Sequence, residues 1–375
     1  MTQYVFQLWR EPELSFTELK CLFQGVIREG DFVFLDAEKE TILSRAKELW
    51  GTIKIGEIIH SNISRADILS SSLNIVEQYI MPEKKLRIAV DTFVPALSSL
   101  PFKIKDTLKK QWNSVRVVQH EPNGRVKNAT TIHEKLISNG CELMIVPGEN
   151  GFILARTIWV QDIDGYSQRD IGRERSMVVG MMPPKLAQMI INFATKGDKN
   201  LQIWDSFCWL GTTLIESIHA GYTSLLGSDI AEAMIQATKK NTLEKNVHTG
   251  VFLHDARKID SYKLSQPTVI VTEGMLGKNF TSTTLTVPAA LQERKELSSL
   301  YGDFLSSAYK NTQIQSMVFC LPYWNIGREI VFMPDISQLC PLWKIDPLCL
   351  SGKRYLRHIR PGQSVGREII ILRRV

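Results

Sequence analysis

The sequence predicts an α/β protein in two parts, an α+β module over residues 1–160 and a doubly wound, mainly parallel sheet over residues 183–375. Three observations carry this prediction. From residue 201 onward, short apolar runs alternate with amphipathic stretches, the pattern of strands joined by crossover helices. Residues 161–182 are polar, charged and non-periodic, as a linker or docking loop would be. The 375 residues also exceed what one core organises, since single cores stop growing near roughly 250 residues.

Taken in order, YVFQLW (residues 4–9) reads as a first strand. Ser15 and Glu18 then form an S-x-x-E capping box ahead of Phe16, Leu19, Leu22 and Phe23 at helical spacing. Residues 86–92, 114–119, 142–146 and 152–158 read as strands, with helices over 101–112 and 128–138. Lys103, Lys105, Lys109, Lys110 and Arg116 crowd this module with few acids nearby. Phosphate contacts use such long basic side chains, although a solvated helix face explains the run equally well.

Pro183 and Pro184 open the second part where missing amide donors cost least, and Leu186, Met189, Ile190 and Phe193 give that helix one apolar face. The alternation then runs LQIWD, helix 212–220, SLLGSD, helix 231–245, VFLHD, TVIVTE, helix 289–310 and MVFCLP. SVGREIIILR, residues 364–373, reads as a last strand closing the sheet edge.

Composition narrows the function classes. The net charge of +6 with pI near 8.9 favours a polyanionic partner only weakly. No run of about 18 apolar residues occurs and the N-terminus lacks a basic region leading into an apolar stretch, so a soluble, cytoplasmic protein without a membrane partner is expected. The six cysteines include no CxxC pair and read as free thiols of a reducing compartment. Seven histidines without HxxxH or HExxH spacing predict no metal site.

The chemistry sits in three acids at successive strand ends, Asp205, Asp229 and Asp255. In an open α/β sheet, ligands bind outside the carboxyl ends of the strands near the switch point, so one nucleoside-containing cofactor would meet all three. Asp229 follows Asp205 by 24 residues, close to the distance at which a nucleotide-binding unit places its ribose acid. Gly211 permits close backbone approach, Thr212 and Thr213 cap the next helix, and Asp255 with Ala256 falls at the adenine end. A dinucleotide would want GxGxxG to cradle its pyrophosphate, and the turn offers only Gly211. S-adenosylmethionine carries no phosphate. Glu273 ends the fourth strand in VTEGMLG, where it would accept a hydrogen bond from a substrate amine, or serve as a plain acidic loop residue. Cys208 lies on a turn where a nucleophile is conceivable, but a small residue packed beside the cofactor explains it better.

GMMPPKLAQMIINFA (residues 180–194), DSFCWLGTT and GSDI together resemble the family that forms N2-methylguanosine at position 10 of tRNA. ELSFTELKCLF (residues 13–23) and SVGREIIIL extend the likeness to both ends, and residues 45–160 are similar to a THUMP domain with a ferredoxin-like extension. The resemblance implies a Rossmann-like, S-adenosylmethionine-dependent methyltransferase domain preceded by a THUMP-like RNA-binding module that grips tRNA; on the phosphate-binding reading of the lysine cluster, Lys103, Lys105, Lys109 and Lys110 contact that substrate. It implies cofactor contacts from Asp205, Phe207, Cys208, Gly211, Thr212, Asp229, Ile230, Asp255 and Ala256, catalysis by Glu273 and base contact by Leu276.

Two positions depart from the family pattern. Trp209 stands where the cofactor loop has its first glycine, and Glu273-Gly274-Met275-Leu276 stands where the catalytic motif is DPPY. Leu276 cannot stack on a flipped base as an aromatic does. Three consequences stay open: another residue stacks the base, the substrate differs, or methyl transfer is lost. The competing readings are therefore an RNA methyltransferase, a non-catalytic RNA-binding protein keeping the fold, and a DNA amine methyltransferase.

Overall fold

The computed structural model describes residues 2–79, 85–110, 114–118, 121–162, 182–243, 249–278, 280, 284–352 and 354–374. The chain forms two compact units, one of residues 1–12 with 25–169 and one of residues 13–24 with 170–375. The first unit is thus not a continuous N-terminal stretch. Most of the expected linker lies outside the described residues.

The first unit holds β1 (Thr2–Leu8), β2 (Ile27–Glu29), β3 (Phe32–Ala37), β4 (Thr52–Ile63), β5 (Leu86–Thr92), β6 (Val115–Val117), β7 (Gly140–Gly148) and β8 (Gly151–Val160). They form one sheet in the order β2-β3-β1-β4-β8-β7-β5-β6. Pairing is antiparallel except where β5 runs parallel to β6 and β7, which the chain reaches by crossover. α1 (Pro12–Leu22) follows β1, and α2 (Lys39–Ala46), α3 (Ile68–Glu77) and α4 (Leu100–Leu108) follow β3, β4 and β5. Ile68, Ile75, Ile104 and Leu108 of α3 and α4 join Ile88, Val90, Leu143 and Ile145 of the sheet in one buried cluster. The predicted helix over 128–138 is two short ones, α5 (Asn128–His133) and α6 (Leu136–Asn139), because Lys135 between them takes a left-handed φ of 52°.

The sheet of this unit also buries charge. Lys54 Nζ donates to Asp91 Oδ2 at 2.8 Å, Glu142 Oε1 at 2.7 Å and the Val126 carbonyl at 2.9 Å. Thr131 and Thr157 donate to Glu142, and Arg125 to Asp91, so both buried acids are satisfied.

The second unit begins with α1. Its residues Ser15 and Glu18 lie inside the helix, so the expected capping box is not one: Pro12 starts the helix earlier, where its missing N–H costs nothing. Glu18 instead accepts from Asn192 at 2.8 Å. Asn192 belongs to α7 (Pro184–Thr195), whose residues from Leu186 to Thr195 are all buried. The predicted single apolar face is therefore a helix covered all round, its polar Gln188 satisfied by Glu216.

The remaining elements are β9 (Gln202–Asp205), α8 (Thr212–His219), β10 (Leu225–Asp229), α9 (Glu232–Leu243), β11 (Thr249–Leu253), β12 (Thr268–Glu273), α10 (Val287–Lys310), β13 (Ile314–Ile326), β14 (Glu329–Phe332), α11 (Ile336–Leu339), β15 (Lys344–Ile345), β16 (Leu350–Ser351), β17 (Arg354–His358) and β18 (Val365–Arg373). The sheet order is β11-β10-β9-β12-β13-β18-β17-β16, parallel from β11 to β13. Successive strands step outward from β9 to β11, and the chain then returns to place β12 on the other side of β9. The switch point is therefore between β9 and β12. β18 does not close the edge as its sequence suggests: it runs antiparallel between β13 and β17. Its near-continuous burial fits an interior strand.

Candidate active site at the switch point

Asp205 ends β9 and is 3% exposed. Thr272 of the neighbouring β12 donates to its Oδ1 at 2.5 Å, and the Phe207 N–H points to the same oxygen at 3.3 Å. Burial pushes this carboxyl up to about 7 against the pull of those hydrogen bonds. Asp205 thus anchors the turn that follows.

In that turn four successive or near-successive residues, Phe207, Cys208, Trp209 and Gly211, donate their backbone N–H within the protein. Cys208 N–H donates to Ser228 O at 2.9 Å, Trp209 N–H to Asp229 Oδ2 at 3.1 Å, and Gly211 N–H to Cys208 O at 2.6 Å. Trp209 has φ 41°, a left-handed conformation that an indole-bearing residue adopts only under constraint. Its carbonyl accepts from Thr238 at 2.5 Å. Gly211, at φ 80°, leads into α8, and a Cβ there would stand 3.0 Å from Thr238 Cγ2. Cys208 is buried and its thiol is pushed well above the usual range by that burial, which suits packing and not nucleophilic attack.

Asp229 ends β10 and also accepts the Ala231 N–H at 3.0 Å. Asp255 follows β11, accepts the Arg257 N–H at 2.9 Å and is gripped by the Arg257 guanidinium at 2.7–3.1 Å. Hydrogen bonds from the Arg257 side chain hold Asp255 below the usual carboxylate range.

Glu273 ends β12. Its Oε1 accepts from Arg367 Nε of β18, a side chain only 1% exposed that reaches past the intervening β13. Burial raises the Glu273 carboxyl while Arg367 pulls it down. At Gly274 a Cβ would lie 2.2 Å from Tyr301 Oη, and the same hydroxyl donates to the Met275 carbonyl at 2.8 Å.

These strand ends surround one cavity of about 560 Å³. Asp205, Phe207, Cys208, Thr212, Asp229, Ile230, Asp255, Ala256, Glu273 and Leu276 all line it, whereas the expected cofactor residue Gly211, the N-cap of α8, is not among its lining residues. Met182, Trp209, Met234, Arg257, Met275 and Leu300 are also part of the wall. Lys103 and Lys105 lie on α4, and Lys109 and Lys110 follow it on the first unit, all but the half-buried Lys105 exposed. Sequence reasoning missed Arg257, Tyr301 and Arg367. Only Arg367 left a signal, a cation inside an apolar strand sequence. Among the described residues no group of three or more His, Cys, Asp or Glu is placed to hold a metal, and no helix is long and apolar enough to cross a membrane.

A parallel sheet with its crevice at the switch point, continued by an antiparallel strand, defines a Rossmann-like methyltransferase fold. The crystal structure of TrmN from Thermus thermophilus shares it, covering 100% of both chains with a TM-score of 0.53 at 14% identity. No model of a known protein family matches the sequence. A tRNA (guanine(10)-N2)-dimethyltransferase from Methanothermobacter thermautotrophicus is 24% identical over 342 residues, 85% of this chain and 88% of that protein. The enzyme of the same name from Methanocaldococcus jannaschii is 28% identical over 143 residues, 38% of this chain and only 40% of that protein.

Proposed function

We propose that the protein is an S-adenosylmethionine-dependent tRNA methyltransferase acting on an exocyclic guanine amine, N2. The observation that carries this reading is the convergence of Asp229, Asp255 and Glu273 on one cavity, in a chain similar over 85% of its length to a tRNA (guanine(10)-N2)-dimethyltransferase. The donors of the turn support the choice of cofactor. With the amides of Phe207, Cys208, Trp209 and Gly211 already bonded inside the protein, those four donors are not available to cradle a pyrophosphate. A sulfonium nucleoside needs no such cradle, and the bound cofactor would supply an electrophilic methyl group.

The chain's own residues then divide the work. Asp229 retains lone pairs for the ribose hydroxyls, while Asp255, with Ile230 and Ala256, receives the adenine end. Glu273 accepts a hydrogen bond from the target amine and turns its lone pair toward the cavity. The first unit acts as the THUMP-like tRNA grip, with Lys103, Lys105, Lys109 and Lys110 on phosphates, and the protein works in the cytoplasm.

The deciding assay is methyl transfer from labelled cofactor to total tRNA with DNA in parallel, followed by nucleoside analysis. N2-methylguanosine is expected, and label in DNA alone would overturn the reading. Leu276 favours one alternative, because no ring stands there to stack a base. A protein that binds cofactor and tRNA yet transfers no methyl would be a non-catalytic RNA binder.

A further inference from the structure

Resting on the reading of this cavity as an amine-methylation centre, we propose that Arg367 and Tyr301 are positioning residues that hold the Glu273–Met275 turn in its amine-accepting shape. The turn has no stiffness of its own. Gly274 is the most permissive residue a chain can carry, and Met275 beside it is 51% exposed. Two fully buried side chains from other elements supply the constraint.

Tyr301, on α10, fills the space against the turn so closely that any side chain at 274 would collide with its hydroxyl and ring. The hydroxyl also ties down the Met275 carbonyl at 2.8 Å. One side chain therefore sets both the identity of residue 274 and the direction of the peptide after it.

Arg367 acts on the carboxylate. Its Nε occupies Glu273 Oε1, and among the described residues Oε2 accepts no hydrogen bond while the side chain borders the cavity. A carboxylate fixed this way presents one acceptor to a donor amine; protonated, it would present an O–H instead. The other titratable or charged groups facing Glu273 are Arg360 ahead of β18, Cys320 on β13 and Tyr301 itself. Arg367 is the cation in contact, so its loss removes the larger of the two charges that oppose burial and the carboxyl rises further.

The test is single-turnover methyl transfer to tRNA across pH, with cofactor affinity measured in parallel. Arg367→Met should move the apparent pKa of the rate up by at least about one unit, recovering toward wild type at alkaline pH, while Arg367→Lys restores the profile. Tyr301→Phe, which keeps the ring, should lower the rate by about 10-fold with cofactor Kd unchanged. A pH-independent loss in Arg367→Met that lysine does not relieve would overturn the proposal. The Glu273 carboxyl carbon resonance, assigned by its disappearance in Glu273→Gln, gives a readout that needs no turnover. It should be ionised near neutral pH in wild type and shift upward in Arg367→Met. A wild-type Glu273 protonated near neutral pH overturns the inference even if activity is found, whereas an ionised, Arg367-dependent Glu273 in a protein without transfer sinks only the functional reading.

Discussion

The carboxylate of Asp229 accepts the Trp209 N–H at 3.1 Å, tying the end of β10 to the turn that leaves β9. One acid therefore both shapes the turn after β9 and faces the cavity.

Replacing Asp229 by alanine should weaken S-adenosylmethionine binding by about 2 kcal/mol or more, because a charged acceptor is lost and the turn loses its tie. Calorimetric titration of a variant that keeps its circular dichroism measures this. Unchanged affinity would remove Asp229 from the cofactor site.

Trp209 at φ 41° should separate glycine from alanine. Both substitutions lose the indole, but only alanine keeps a Cβ in the left-handed region, so Trp209→Gly should be more stable than Trp209→Ala by about 1 kcal/mol. Urea unfolding midpoints compare the two directly, and equal midpoints would mean that the backbone relaxes out of that region.

Burial sets the pH response of Asp205. A carboxyl raised to about 7 in the folded state contributes stability that is fully present below its unfolded pKa, and that contribution is lost as pH rises through 7. The difference in unfolding free energy between wild type and Asp205→Asn should thus shift against wild type from about pH 4 to about pH 7 and level off above. A difference that stays constant with pH would place the titration elsewhere.

Glu273→Gln should leave cofactor affinity intact and lower single-turnover transfer by about 100-fold, the scale for a positioned catalytic group. An equally active variant would show that the acceptor lies elsewhere. In the companion Leu276→Tyr, a faster rate is expected if the missing ring limits the reaction.

Affinity for tRNA should fall steeply with salt. Each phosphate contact removed by replacing Lys103, Lys105, Lys109 or Lys110 with alanine should flatten the log–log slope by about 0.7–0.9. Filter binding at several salt concentrations reads the slope, and a quadruple variant with the wild-type slope would take these lysines off the RNA.

The sequence by itself determined the α/β alternation after residue 201, the acids at the ends of β9, β10 and β12, and a turn after β9 with a single glycine, because strand periodicity and strand-end polarity are local properties of the chain. Local pattern also misled. Ser15 and Glu18 match a capping box, yet Pro12 had already started the helix, and the one apolar face expected for α7 is part of a helix buried all round, its Asn192 and Gln188 met by Glu18 and Glu216. Only the tertiary structure decided that β18 lies inside the sheet, since strand order depends on which surfaces pair and not on position in the chain. It alone brought Arg367 to Glu273 across 94 residues and Tyr301 against Gly274. Such contacts leave no periodic trace: each is one buried side chain meeting one partner, and its energy exists only once burial has removed water from both.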